Sequence, residues 1–458
     1  MQYYLGVDIG TTSVKAVAFD ASGKVLLKQA VTNTTIHTKE DYSEQDPEEV
    51  FIAVMFCIDT VITQLKNKPQ FISFSAAMHS LIAVDENGKA LSNCILWSDN
   101  RAAETATVLH LKGSAKNIYE RSGVPVHAMS PFCKIIWLKE NDRKIFYSTY
   151  KFIGIKEFIF YRLFHQFIVD SSIASATGLL HIHTQEWDEE LLMIAGIDRS
   201  KLSTIVPVQH TILLNDIKYM IGASDGALAN LAMTISDETI LAITIGTSAA
   251  ARITIQQPNV DEDMRLFCYH LKEKYFIKGG ASNNGAIVLQ WLQEKIFQTK
   301  ETLEELVNAA ATVSPGADGL IFLPYISGER APLWNSNVKA DFIGLTSHHT
   351  KTHIIRAAME GILFNLLLIG NMLNEKNTIS EIHAGGGFAD NPFWVQMLAD
   401  IFNLPVKIFD TNESSALGAV MLGVAIKTEP IIIYLPNRFN HSVYVKQFEK
   451  FSQLVLKG

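Results

Sequence analysis

Three residues near the start of the chain have the types and spacing to do chemistry together. Asp8, Thr11 and Thr12 surround Gly10 in the stretch LGVDIGTTSVKAVAFD, residues 5–20. Apolar runs flank them, Leu5 to Ile9 and Val14 to Phe19, so the acid and hydroxyls fall at a tight turn between two strands. A glycine turn leaves backbone N–H groups that can ring an anion, and threonine hydroxyls add donors. A carboxylate beside such a turn suits a magnesium ion that keeps most of its waters. Taken alone, the stretch reads equally well as a structural hairpin.

A second copy weighs against the plain reading. LAITIGTSAAARITI, residues 241–255, repeats the plan: strand, Ile-Gly-Thr, a second hydroxyl at Ser248, strand. Thr244 stands where the first copy has Asp8. Gly10, Thr11 and Thr12 in one half and Gly246, Thr247 and Ser248 in the other are therefore candidate phosphate-gripping turns. Facing each other, they would clamp a polyphosphate, with Asp8 holding the accompanying metal. Neither G-x-x-x-x-G-K-[ST] nor G-x-G-x-x-G occurs, which excludes a P-loop and a dinucleotide fingerprint.

The elements that must carry these turns alternate between strand and helix, the α/β signature. DPEEVFIAVMFCIDTVITQL (46–65) reads as a helix with Asp46 as cap and Pro47 at its first position. FISFSAAM (71–78) reads as a strand, and YMIGASDGALANLAM (219–233) as strand, glycine turn and helix. GGASNNGAIVLQWL (279–292) runs from a glycine-rich loop into an apolar helix whose N-terminus can attract phosphate. AGGGFADNPFWVQMLADIF (384–402) repeats that idea, with Asn391 as cap and Pro392 at the first position. The chain has 458 residues, past the ~250–300 at which single cores stop growing. Two similar domains are expected, residues 1–220 and 221–458.

Composition narrows the partners. The net charge is −8 and no block of Lys or Arg stands out, which argues against nucleic acid and anionic membranes but not against a nucleotide. Cys57, Cys94, Cys133 and Cys268 form no CxxC pair, and His181/His183 and His348/His349 lack HExxH spacing. The apolar stretch Ile362 to Ile369 is broken by Asn365 and falls short of the ~18 residues of a membrane span. With no basic and apolar leader before the first strand, a cytoplasmic monomer or homodimer is expected.

Two longer motifs give the chain a family likeness. MSPFCKIIWLKEN (129–141) carries Pro131, Lys134, Trp137 and Glu140-Asn141, and ADFIGLTSHHTKTHIIRAAME (340–360) ends in Ala-Ala-Met-Glu. Across nearly its whole length the chain resembles the FGGY carbohydrate kinases, within the actin, heat-shock chaperone and sugar kinase superfold. The resemblance implies two actin/ribonuclease-H-like domains with a cleft between them. It implies ATP and Mg2+ there, and phosphoryl transfer to a hydroxyl of a small sugar or sugar acid.

It also implies roles for particular residues. Asp225, in GASDGALANLA, matches the family's catalytic base; by sequence alone an aspartate before a helix is a cap. Gly285 would lie against the phosphates, and Gly386, Gly387 and Asn391 close to the adenosine. Glu413 is either an ATP-site residue or a first-turn helix acid. His79, Trp97, Asp99 and Arg101 would join Asp225 around the sugar, although His79 also reads as a structural histidine and Asp99/Arg101 as a local ion pair. The segments MHS (78–80), WSDNR (97–101) and GERAPLWN (328–335) look more like gluconate-phosphorylating members than xylulose-phosphorylating ones. A sugar-acid carboxylate would suit Arg101 or His79. A xylulose, other pentulose or polyol kinase is the alternative. A non-catalytic nucleotide- and sugar-binding regulator is a different class, expected to have lost Asp8 or Asp225, and both are present.

Overall fold

The computed structural model describes residues 2–234, 237–375, 378–409 and 413–456. In the first half, β1 (Tyr4–Ile9), β2 (Ser13–Phe19) and β3 (Val25–Thr32) form an antiparallel meander. β4 (Ile72–Ala76) adds to β1 in parallel, β5 is Thr211–Leu214, and β6 (Ile217–Ser224) runs parallel to β4. The strand order is β5-β6-β4-β1-β2-β3. Both faces of β2 are buried: Val14, Ala16 and Ala18 pack with helix Pro47–Leu65, while Val17 and Phe19 pack with helix Ser414–Met421. Near-continuous apolar strands are what a sheet covered on both faces requires. Helix Pro47–Leu65 starts as expected, Asp46 accepting from Glu48 N at 2.8 Å with Pro47 in the first turn.

The second half repeats this plan. β7 (Ile240–Ile245) and β8 (Ala249–Ile255) form an antiparallel hairpin, with β9 (Tyr275–Ser282) beside β8. β10 (Glu381–Gly385) is parallel to β7, β11 (Val406–Phe409) is parallel to β10, and β12 (Pro430–Tyr434) closes the edge antiparallel. The order is β9-β8-β7-β10-β11-β12, with strand Phe267–Lys272 added outside β9 as a seventh; read from β12 to β9, the six repeat the succession of the first sheet. Helix Lys351–Asn374 contains the apolar stretch around Asn365 and is a buried core helix of this half, its Arg356 and Glu360 paired with each other at 2.7 Å.

The chain divides into two compact units that differ from a single cut at 220. One comprises Met1–Ile235, Ile255–Ile277 and Glu413–Thr428; the other comprises Ser236–Thr254, Lys278–Asn412 and Glu429–Gly458. The reason is packing. β6 completes the first sheet, helix Asp225–Thr234 follows directly from it, and helix Ser414–Met421 packs on both that helix and β1.

Candidate active site

In the first unit the chemistry gathers where three neighbouring parallel strands end. Asp8 pairs in register with Ser75 of β4, and Ser224 at the end of β6 pairs with Ala76. Asp225 is the next residue, the first of its helix, and its Oδ1 accepts from Gly226 N at 2.7 Å. The carboxyl ends of parallel strands are where α/β folds place their ligand sites. β6 reaches this point through an irregularity between Met220 and Ala223, at Gly222. Gly222 has φ +70°, and a Cβ there would lie 1.7 Å from Phe74 O, so only glycine permits the kink that aims Ser224 and Asp225.

Burial of the Asp8 carboxylate pushes its pKa up to about 7; the negative charge of Asp225 adds to the rise, while the Ser75 hydroxyl and Lys15 oppose it. Ser75 Oγ donates to Asp8 Oδ1 at 2.8 Å. Two carboxylates close enough to repel form a donor set suited to a hard cation that keeps its waters.

The turn after Asp8 is tied back by its carbonyls. Asn33 Nδ2 donates to Gly10 O at 2.9 Å, Gln45 Nε2 to Thr11 O at 2.6 Å, and Asn33 N to Thr12 O at 2.9 Å. Gly10 N closes the turn by donating to Ser13 O at 3.1 Å. Trp97 meets the same turn, its indole N–H donating to Thr11 Oγ1 at 3.0 Å.

The residues expected around the sugar divide. His79 is buried, holds a left-handed backbone at φ +65°, and has Nδ1 2.8 Å from Ala176 O. A carbonyl only accepts, so Nδ1 carries the proton and Nε2, 3.4 Å from the Tyr269 hydroxyl, is the acceptor in the neutral ring. Asp99 is wholly buried, and both of its oxygens are taken by Ser43 N and by the backbone and guanidinium of Arg101. Arg101 also pairs with Glu44 and stacks over the Tyr42 ring at 3.8 Å. Asp99 and Arg101 are thus the local ion pair that the sequence left as an alternative, a pin inside the loop. Arg101 does not supply a spare cation for a carboxylate, because two acids already neutralise it.

Glu413 stands just before helix Ser414–Met421, makes no side-chain cap, and pairs with Lys15 of β2 at 3.1 Å and with Lys28 of β3.

The second unit holds a different kind of site. Its hairpin turn closes with Gly246 N donating to Ser248 O at 2.9 Å. At the position matching Asp8, the Thr244 hydroxyl accepts from Arg252 at 3.1 Å. The amides of Gly285, Ala286 and Ile287 are engaged with this turn: they donate to Thr247 O, Gly246 O and Thr247 O. Gly285 is needed because a Cβ there would sit 2.6 Å from Gly246 O, so the helix start braces the turn directly.

Beside that turn lies a cavity of about 430 Å³, lined by residues that include Gly246, Leu289, Leu303, Val307, Gly387 and Asn391. Its volume and apolar walls with a few polar groups match a small-molecule site. Asn391 caps helix Pro392–Phe402 by accepting from Trp394 N at 3.1 Å, as its position before Pro392 indicated. Gly386, at φ +94°, would bring a Cβ within 2.5 Å of Ile245 O, whereas a Cβ on Gly387 meets nothing within 4 Å. Leu289, Leu303 and Val307 escaped the sequence reading because apolar helix positions look alike whether they face a core or a cavity.

Known proteins share this arrangement. The N-terminal domain model of the FGGY family of carbohydrate kinases matches residues 3–244, and the C-terminal domain model matches residues 241–426. A gluconokinase of Bacillus licheniformis is 42% identical over 446 residues, spanning 92% of this chain and 87% of the relative. A xylulose kinase of Lactococcus lactis is 29% identical over 92% of this chain and 87% of its own. The crystal structure of gluconate kinase from Lactobacillus acidophilus superposes with a TM-score of 0.95 at 34% identity, covering 99% of this chain and 97% of that one. A ligand-bound xylulose kinase structure from the same organism gives 0.95 at 34%, covering 99% and 98%. The repeated sheet is the actin/ribonuclease-H-like fold in its sugar kinase form, and the chain belongs to the FGGY family of carbohydrate kinases.

Proposed function

We propose that this carbohydrate kinase transfers the γ-phosphoryl group of ATP to a hydroxyl of gluconate, giving 6-phosphogluconate. The observation that carries the catalytic reading is the Asp8–Asp225 pair, at the ends of the two parallel strands β1 and β6 that flank β4, beside the Gly10 turn. Asp225 is the base: its carboxylate takes the hydroxyl proton as that oxygen attacks phosphorus. Asp8 would hold Mg2+, which neutralises phosphate charge when bound. Gly10, Thr11 and Thr12 and, from the second unit, Gly246, Thr247 and Ser248 are assigned to the phosphates. The cavity at Gly387 and Asn391 is assigned to the adenosine, its apolar walls suiting a planar base. His79 and Trp97 are assigned to the sugar. Asp99 and Arg101 act behind them by holding the loop.

Gluconate is favoured by the 42% identity to a gluconokinase, against 29% for a xylulose kinase. A xylulose reading stands second, on the 34% identity to a xylulose kinase structure. The deciding experiment is coupled ADP release over gluconate, xylulose, ribulose, fuculose and glycerol. Gluconate is expected to give the highest kcat/KM; a higher value for xylulose would replace this reading by the second. We assign the enzyme to the cytoplasm, as a monomer or homodimer.

A further inference from the structure

Lys134 is the one charged residue of the MSPFCKIIWLKEN motif that is wholly buried. It lies in helix Pro131–Asn141, whose N-cap Ser130 accepts from Cys133 N at 3.3 Å. Its ammonium has no carboxylate within ion-pair distance among the described residues. It donates instead to three backbone carbonyls: His79 O at 2.7 Å, Leu96 O at 2.7 Å and Ile95 O at 3.4 Å. Asp99, Arg101 and the thiols of Cys94 and Cys133 are the titratable groups around it, and burial pushes its pKa down to about 7. A buried ammonium is costly unless its hydrogens are all satisfied, and here three acceptors meet three hydrogens.

Those acceptors belong to two segments. His79 O lies on a residue held at φ +65°, a conformation that persists in a histidine only when its surroundings fix it. Leu96 O immediately precedes Trp97, whose indole reaches the Thr11 hydroxyl. We infer that Lys134 is a positioning residue that sets the spacing between the His79 and Trp97 segments and so sets affinity for the sugar. The inference rests on the proposed sugar-side role of those two segments. An aliphatic side chain of similar length would fill the space and release both.

The test compares wild type, Lys134→Met and Lys134→Gln in steady-state turnover of D-gluconate with ATP, with thermal unfolding alongside. The KM for gluconate is expected to rise by roughly tenfold or more in Lys134→Met, the loss of hydrogen bonds to a charged donor. It should rise less in Lys134→Gln, which keeps two donor hydrogens, and the KM for ATP should stay within about twofold in both. Should Lys134→Met not fold, Lys134→Gln carries the comparison. An unchanged gluconate KM in a folded variant, or gluconate and ATP KM rising together, would overturn the inference. Failure of the underlying reading looks different: wild type would then turn over no sugar at all. If wild type prefers xylulose, the same comparison is made with xylulose.

Discussion

Asp8 concentrates the account at the scale of single residues. Its pKa of about 7 lies above the ordinary 3.8 of aspartate, first through burial and then through Asp225. Between these values the unfolded chain has released the proton that the folded protein keeps. Stability from this group is therefore present at low pH and lost as pH rises from about 4 to about 7. Glu157, buried and raised to about 7, acts in the same direction. Thermal unfolding without metal or nucleotide should show a decline between about pH 4 and pH 7 that Asp8→Asn makes shallower. Parallel slopes in the two proteins would contradict the assignment. The companion measurement is Mg2+ dependence: Asp8→Asn should raise the Mg2+ needed for half-maximal turnover, whereas Thr247→Ala should mainly raise the KM for ATP. Asp8 and its hydroxyl neighbours stood out in the sequence because their types are unusual next to a glycine turn, whereas Asp225, a helix cap by sequence alone, was singled out by the family resemblance. The commitment of Arg101 to two acids was not, because Glu44 lies far from it along the chain.

Among the elements, the glycine loops separate packing from ligand approach. Gly285→Ala would push a methyl into Gly246 O and Ser248 O, 2.6 Å away. It should cost about 1–3 kcal/mol of stability and also weaken ATP binding, because the turn itself must move. Gly387→Leu meets open space at its Cβ and points a side chain into a region lined for a ligand. It should leave the melting temperature within a few degrees while raising the KM for ATP by about tenfold or more. Equal effects of both substitutions on stability would contradict this division. Helix starts at Asp46 and Asn391 could be read in advance, since a cap followed by proline is a local signal. The bracing of the second turn by residues 285–287 was hidden, because the same glycine-rich spelling serves an anion or a neighbouring carbonyl.

For the molecule as a whole, the internal repeat was visible from the two Ile-Gly-Thr turns, and six strands of the second sheet repeat the succession of the first. The discontinuous make-up of the units was not visible. Helix Ser414–Met421 belongs to the first unit although residues 278–412 of the second precede it. It covers Val17, Phe19 and Phe71, so a fragment ending at Ile277 leaves an apolar face bare. Such a fragment should lack a cooperative thermal transition, and joining residues 413–428 to it by a flexible linker should restore one. A cooperative transition in the shorter fragment would show that the helix is dispensable. The most direct test of the central claim is Asp225→Asn, assayed for gluconate-dependent ADP release and, separately, for ATP binding. The account predicts a loss of kcat on the order of 10²–10⁴-fold with ATP affinity within a few-fold of wild type. Turnover near the wild-type rate would contradict it.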